Sequence, residues 1–231
     1  MQDPDVMPEK VKALLEANGC SDVAVTGYEA MTGGYSRLMA RFEASFTLDG
    51  VSESGSYVLR GDPPEGQAII ETDRTQEFEV IRAVSGYLNT PAARFLDATG
   101  KFVDTPALVL DFTEAESTLP WIEQNGASTL PVKLAELAGA MHTIPVDGLP
   151  DVLSRPVSGD PLTDQILMWR QTADSHAEYL PIFRYVAAWL DANRPPPVPV
   201  SLVHHDFSTA NMLVDENGDF VVIGFELATV G

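Results

Sequence analysis

The 231 residues carry 34 Asp and Glu against 14 Lys and Arg, a formal charge of -20, with 45% hydrophobic content and one cysteine. That balance repels nucleic-acid phosphates and anionic lipid surfaces, and the apolar content is enough for a substantial core. No apolar run of about 18 residues is present to span a bilayer, the start MQDPDVMPEK lacks a secretion-signal pattern, and Cys20 alone can form neither an internal disulfide nor a cysteine zinc cage. The expectation is a cytoplasmic protein with no nucleic-acid or membrane partner; the acidity serves solubility, or lines a pocket for a cationic substrate, or reflects a salt-adapted source.

In chain order, PEKVKALLEANG spaces Val11, Leu14 and Leu15 for a short helix opened by Pro8 and stopped by Gly19. Leu38, Ala40, Phe42, Ala44 and Phe46 alternate with polar or exposed-type residues, which predicts a half-buried strand. The polar LDGVSESGS reads as a turn into a second strand, SYVLRG, and places Gly33-Gly34 at the mouth of an antiparallel sheet. Residues 72–88 set Phe78, Ile81 and Val84 on one helical face, and PALVLDFTE reads as a further strand.

Helical material follows. LPVKLAELAGAMHTI carries an apolar face, and DQILMWRQTADSHAEYLPIFRYVAAWLDANR holds two helical patterns interrupted near Pro181. Trp169, Tyr179, Phe183 and Trp189 fall at helical spacings expected of core residues, and His142 and His176 are expected in the core or at caps. After the stiff PPPVPV, VSLVHHD reads as a short strand, and NMLVDENGDFVVIGFE as a hairpin turning at Asn217-Gly218.

The closing stretch carries the chemistry. Asp206 and Asn211 lie five residues apart in a loop between strand and hairpin, where a carboxylate can take a proton from a hydroxyl and an amide oxygen can ligate Mg2+. Phosphoryl transfer asks mainly for alignment of nucleophile, phosphate and metal, so a few side chains at fixed spacing suffice.

HHDFSTAN at 204–211, followed by a hairpin and IGFE, resembles the catalytic block of the aminoglycoside phosphotransferase and choline kinase family. The resemblance implies an α+β, protein-kinase-like bilobal fold: a small antiparallel-sheet lobe with one helix (residues 1–112, nucleotide-binding) and a mostly helical lobe with an inserted hairpin (113–231). It implies ATP or GTP with Mg2+, and a small molecule bearing a hydroxyl as acceptor. By the same resemblance Asp206 is the catalytic base, His204 supports its loop, and Asn211 is a metal ligand. Gly33, Gly34, Tyr35 and Ser36 match the nucleotide loop, Arg60 and Glu77 the phosphate-contacting pair, and Asp111, Phe112 and Thr113 the hinge beside the adenine. Read without the family, Arg60 and Glu77 are a surface ion pair.

This sequence departs from the family pattern at three places. His205 replaces a glycine. Gly224 stands where a metal-binding aspartate is usual, which leaves Glu226, two residues on, as a substitute ligand. The chain ends at Gly231, where related kinases continue into the lower lobe, so that lobe is expected to be incomplete. Two other readings follow: a non-catalytic, kinase-like nucleotide-binding module, and a metal-dependent phosphohydrolase with His204, His205 and Asp206 as ligands.

Overall fold

The computed structural model describes residues 3–31, 38–63, 72–176, 178 and 181–231. The glycine loop with Gly33, Gly34, Tyr35 and Ser36 lies outside the described residues, as does Tyr179.

The first lobe is one antiparallel sheet covered on both faces. Its strands are β1 (Ser21–Ala30), β2 (Leu38–Leu48), β3 (Val51–Gly61), β4 (Ala93–Asp97) and β5 (Ala107–Asp111), in the order β1-β2-β3-β5-β4. The alternation in β2 works as expected: Ala40, Phe42, Ala44 and Phe46 are buried, while Arg41, Glu43 and Ser45 face solvent. One face packs on α1 (Met7–Ala17), whose Met7, Val11, Leu14 and Leu15 meet Phe42, Phe46, Tyr57 and Leu59. Helix α1, which the spacing of Val11, Leu14 and Leu15 predicts, is thus a second helix on the lobe, beside the one the resemblance implies. Cys20 is buried in this same layer, and burial pushes its thiol up.

The opposite face of the sheet packs on α2 (Arg74–Val84), which starts at Asp73, whose carboxylate accepts the Thr75 N–H at 2.7 Å. Phe78, Ile81 and Val84 meet Val58, Leu108 and Leu110, as the helical spacing predicts. The same core continues into the second lobe through Met141, Leu202, Val222 and Phe225, so the two lobes share apolar contacts.

Strand β3 corrects the sequence reading. The chain turns on Asp49-Gly50 alone, both at positive φ, and β3 pairs with β2 from Val51 onward. Its polar first half is exposed or half-buried although it pairs with the stretch of β2 that holds buried Ala44 and Phe46, so hydrophobicity gives no sign of it; its second half, Tyr57 to Gly61, is buried between β2 and β5.

The second lobe begins with β6 (Ala115–Ser117) and α3 (Thr118–Asn125), then α4 (Leu130–His142), α5 (Pro161–Ser175) and α6 (Ile182–Ala192). It ends with β7 (Leu202–Val203), β8 (Met212–Asp215), β9 (Phe220–Val222) and β10 (Thr229–Val230). The predicted hairpin is β8–β9, flanked by β6; β10 pairs with β7.

Helices α5 and α6 pack on one another, yet α5 buries only Ile166 and Ala173, and α6 only Ala187. Trp169, Phe183 and Trp189 are 54%, 44% and 53% exposed, so the expectation that they form core is wrong. Helical spacing assigns residues to one face without saying what covers it, and no described residue buries this one. His142 is exposed in the last turn of α4, and His176 is the C-cap of α5, with Nδ1 3.0 Å from the Thr172 carbonyl.

Candidate active site

The loop of residues 204–211 is built around a buried histidine. His204 is 1% exposed and lies against Phe225 and Phe207, with ring centroids 4.9 and 5.9 Å away. Its Nε2–H donates to the Ile223 carbonyl at 2.9 Å, which leaves Nδ1 to accept the Asp206 N–H at 3.3 Å. The imidazole thereby links the Ile223 carbonyl, just past β9, to the backbone N–H of Asp206.

Burial lowers the His204 pKa below its ordinary value of 6.5, and the Ile223 carbonyl, Glu226 and Asp206 oppose that only in part. The folded chain therefore holds the ring neutral while the unfolded chain takes up a proton near 6.5, so this contribution to stability is present above that pH and is lost as pH falls below it. Lowering the pH from about 7.5 to about 5.5 is expected to reduce the Tm more for this protein than for its His204→Gln variant, as differential scanning calorimetry would show.

His205 takes φ +64°, a left-handed conformation that favours glycine, and its Nε2 lies 2.7 Å from Thr229 Oγ1. His204 and His205 therefore point their Nε2 atoms to different partners, and among the described residues no group of three His, Cys, Asp or Glu could hold a metal ion. The metal-dependent phosphohydrolase reading has no ligand set here.

Asp206 and Asn211 do meet. Asn211 Nδ2 donates to Asp206 Oδ2 at 2.7 Å and to the Asp206 carbonyl at 2.9 Å, and the Ile223 N–H donates to the Asn211 carbonyl at 3.0 Å. The Asp206 carboxylate is exposed at the surface of this hydrogen-bonded turn. Asn211 Oδ1 faces Gly224, whose φ is +80°: a Cβ at that position would stand 2.6 Å from it. The amide occupies the space a side chain at 224 would use.

The upstream pair is also formed, and it belongs to a larger network. Arg60 on β3 pairs with Glu77 on α2, and Glu77, 0% exposed, pairs in addition with Arg74, 1% exposed. Arg74 Nε lies 2.9 Å from Asp62, and Arg60 Nη2 donates to Glu226 Oε1 at 2.8 Å. Burial works against the Arg60 charge, but Glu77 and Glu226 outweigh it and raise the pKa further. The pair is not a surface contact but the centre of a buried charge cluster. Sequence reasoning missed Arg74 and Asp62. Arg74 stands three residues before Glu77, one helical turn away, and that spacing was the available signal.

Glu226 is therefore held by Arg60, and Asn211 by Asp206. A Mg2+ ion takes six oxygens, one or two of them protein carboxylates and others from phosphates and water. Against that requirement the donor set is incomplete, because Gly224 offers no oxygen side chain beside Asn211 Oδ1.

Asp111, Phe112 and Thr113, the expected hinge, follow at the end of β5. The Asp111 N–H donates to the Ala92 carbonyl at 2.9 Å and the Phe112 N–H to the Ser56 carbonyl at 3.0 Å, so neither amide is open to a base edge. Arg41 lies over the Phe112 ring at 4.0 Å, and burial raises the Asp111 pKa against the pull of Arg94. Thr113 follows them into β6. Beyond the hinge, Phe112, Glu114, Glu116, Trp121, Asp215 and Glu216 border an open groove of about 490 Å³.

Comparison with known proteins follows the same lines. Residues 40–231 match the profile of the phosphotransferase enzyme family (APH), and the chain belongs to that family. Among solved structures it is similar to a proposed aminoglycoside phosphotransferase of Ralstonia eutropha JMP134, with 18% identity and a TM-score of 0.70 over 96% of this chain and 65% of that one. It is also similar to a GDP complex of a variant of aminoglycoside 2'-phosphotransferase IIIa, with 13% identity, a TM-score of 0.63, and 97% and 73% of the two chains covered. The streptomycin–ATP ternary complex of APH(2″)-IIa gives 16% identity, a TM-score of 0.60, and 99% and 73% coverage. These likenesses establish the kinase-like fold, and this chain spans 65% of the length of the first of them. No curated protein matches. Among the described residues no helix is long and apolar enough to cross a membrane.

Proposed function

We propose that the chain carries the nucleotide site and the base of a phosphotransferase that moves the γ-phosphoryl group of ATP or GTP to a hydroxyl of a small molecule. The observation that carries this reading is the Asp206–Asn211 pair on a loop anchored by buried His204. Residues 1–112 form the nucleotide-binding lobe and 113–231 the lobe that bears the base. The exposed Asp206 carboxylate takes the acceptor's proton as its oxygen bonds to the γ-phosphorus and the bond to the β-phosphate oxygen breaks. The hydroxyl proton ends on Asp206, and the nucleoside diphosphate leaves. Arg60, held by Glu77, presents positive charge toward the phosphates; its Nε is buried with no hydrogen-bond partner among the described residues, which suits a further anionic oxygen. Gly33, Gly34, Tyr35 and Ser36 are assigned to the phosphate loop, and Asp111 to Thr113 to the edge of the base, with Thr113 the hinge residue whose N–H is not among the two already committed. Mg2+ arriving with the nucleotide would find Asn211 Oδ1, and it would supply charge neutralisation of the phosphates.

The relatives' complexes hold ATP, GDP and streptomycin, and those ligands are theirs. The acceptor proposed here is defined by its hydroxyl alone. The test is nucleotide-dependent phosphorylation across a panel of aminoglycosides, choline, sugars and amino acids, with Asp206→Asn as the control. Turnover is expected to fall by about 10²- to 10⁴-fold in Asp206→Asn with nucleotide affinity kept; unchanged turnover in that variant sinks the assignment.

Gly224 favours a second reading, a module that binds nucleotide without turning it over. It is distinguished by thermal shift: nucleotide at 100 times its Kd stabilises the fold by about 2.7 kcal/mol whether or not phosphate is transferred. Stabilisation with no phosphorylated product selects the module.

A further inference from the structure

Arg60 is gripped from both lobes. Nη1 pairs with Glu77 of α2, in the same lobe, and Nη2 with Glu226, which lies 166 positions along the chain in the 3-10 turn Phe225–Leu227. Only 11% of the Arg60 side chain and 15% of the Glu226 side chain is exposed. The edge of the guanidinium formed by Nη2 and Nε is half used: Nη2 meets Glu226, while Nε is buried with no hydrogen-bond partner among the described residues. A planar guanidinium edge is matched by two oxygens of one carboxylate or phosphate. Glu226 satisfies one donor of that edge, and a phosphate group could satisfy both.

We propose that Glu226 is an internal competitor for Arg60, a carboxylate that ties the second lobe to β3 and must yield Nη2 before a nucleotide phosphate can take that edge. The inference rests on the nucleotide-binding reading above. It replaces the role of Glu226 as a substitute metal ligand with the opposite one. As a ligand, Glu226 would strengthen binding of the nucleotide with its metal. As a competitor it weakens nucleotide binding, and most visibly when no divalent cation is present to screen the phosphates. Arg60 keeps Glu77 in either state, because that contact uses the other nitrogen. Glu226 is thus a positioning residue that acts through Arg60.

Two measurements test this. The first is calorimetric titration of the wild-type chain and of Glu226→Gln with ADP, with and without Mg2+. Glu226→Gln keeps the shape and removes the charge, and it is expected to bind ADP about fivefold or more tightly without Mg2+. Equal or weaker binding by the variant overturns the proposal, and a loss confined to Mg2+-containing solution would make Glu226 a metal ligand instead. The second measurement uses no nucleotide: Tm values of wild type, Arg60→Lys, Glu226→Gln and the double variant. Shifts that fail to add are expected of a direct link between the lobes, and additive shifts overturn it. If neither protein binds ADP, the phosphotransferase reading falls and the competitor role falls with it. If the wild type binds ADP and the variant gains nothing, the competitor role alone falls.

Discussion

Glu77→Gln is expected to destabilise the protein by about 3–5 kcal/mol, because removing one partner of a buried ion pair leaves uncompensated charge. Glu77 has no exposed surface and answers two arginines, one of them, Arg74, almost fully buried itself. Glutamine fills the same volume but cannot neutralise either guanidinium, and it turns an amide N–H toward at least one of them. Among the described residues Arg74 would keep Asp62, at 2.9 Å, as its one anionic partner, beside the Thr72 hydroxyl, and Arg60 would keep Glu226. For a chain of this size such a loss corresponds to a fall in Tm of roughly 10 °C. Thermal denaturation followed by circular dichroism measures it, and a shift within error would mean that the cluster contributes nothing net. Arg74→Met is the informative companion. It leaves Glu77 its contact with Arg60, and the smaller loss expected there separates the two arms of the cluster.

Gly224→Asp, the change that restores the family's carboxylate, is expected to carry a structural cost together with a chemical gain. The position has φ +80°, and a Cβ there would meet Asn211 Oδ1 at 2.6 Å. Asn211 must then turn away and give up its bond to Asp206 Oδ2, so the variant loosens the loop it is meant to complete. Left-handed backbone at a residue other than glycine and the lost hydrogen bond together cost about 1–3 kcal/mol in the ligand-free protein. In exchange, Asn211 gains a neighbouring carboxylate, and nucleotide affinity is expected to become about tenfold, or about 1.4 kcal/mol, more dependent on Mg2+ than in the parent. Gly224→Ala separates the two effects, since it brings the Cβ without the oxygens. Calorimetric titration with and without Mg2+, beside the Tm of all three proteins, decides the matter. A Gly224→Asp chain as stable as the parent and no more dependent on Mg2+ contradicts the reading.

What the residues disclosed in advance was whatever rests on local pattern. The alternation of Phe42, Ala44 and Phe46 and the Asn217-Gly218 turn each encode one element, and the structure has them. The pairing of Arg60 with Glu77 came from the family resemblance, and the contact is formed. Strands β1 and β4 escaped notice because their residues do not alternate cleanly and register shifts interrupt both pairings. The grip of Glu226 on Arg60 joins positions far apart in the chain, so no spacing rule could reveal it. Nor could composition show that α5 and α6 leave Trp169 and Trp189 in solvent, since an apolar stripe reads the same whether or not something covers it. The clash awaiting a side chain at 224 depends on where Asn211 points, which is tertiary information.

His205 has one more consequence. At φ +64° its backbone occupies the region where glycine is at ease, asparagine and aspartate are tolerated, and valine or isoleucine are excluded by their branched Cβ. The position therefore accepts few residue types without strain, and His205 is one that does something glycine cannot. Through Thr229 the imidazole reaches β10, so the loop bearing Asp206 is stitched to that strand by a side chain that glycine would lack.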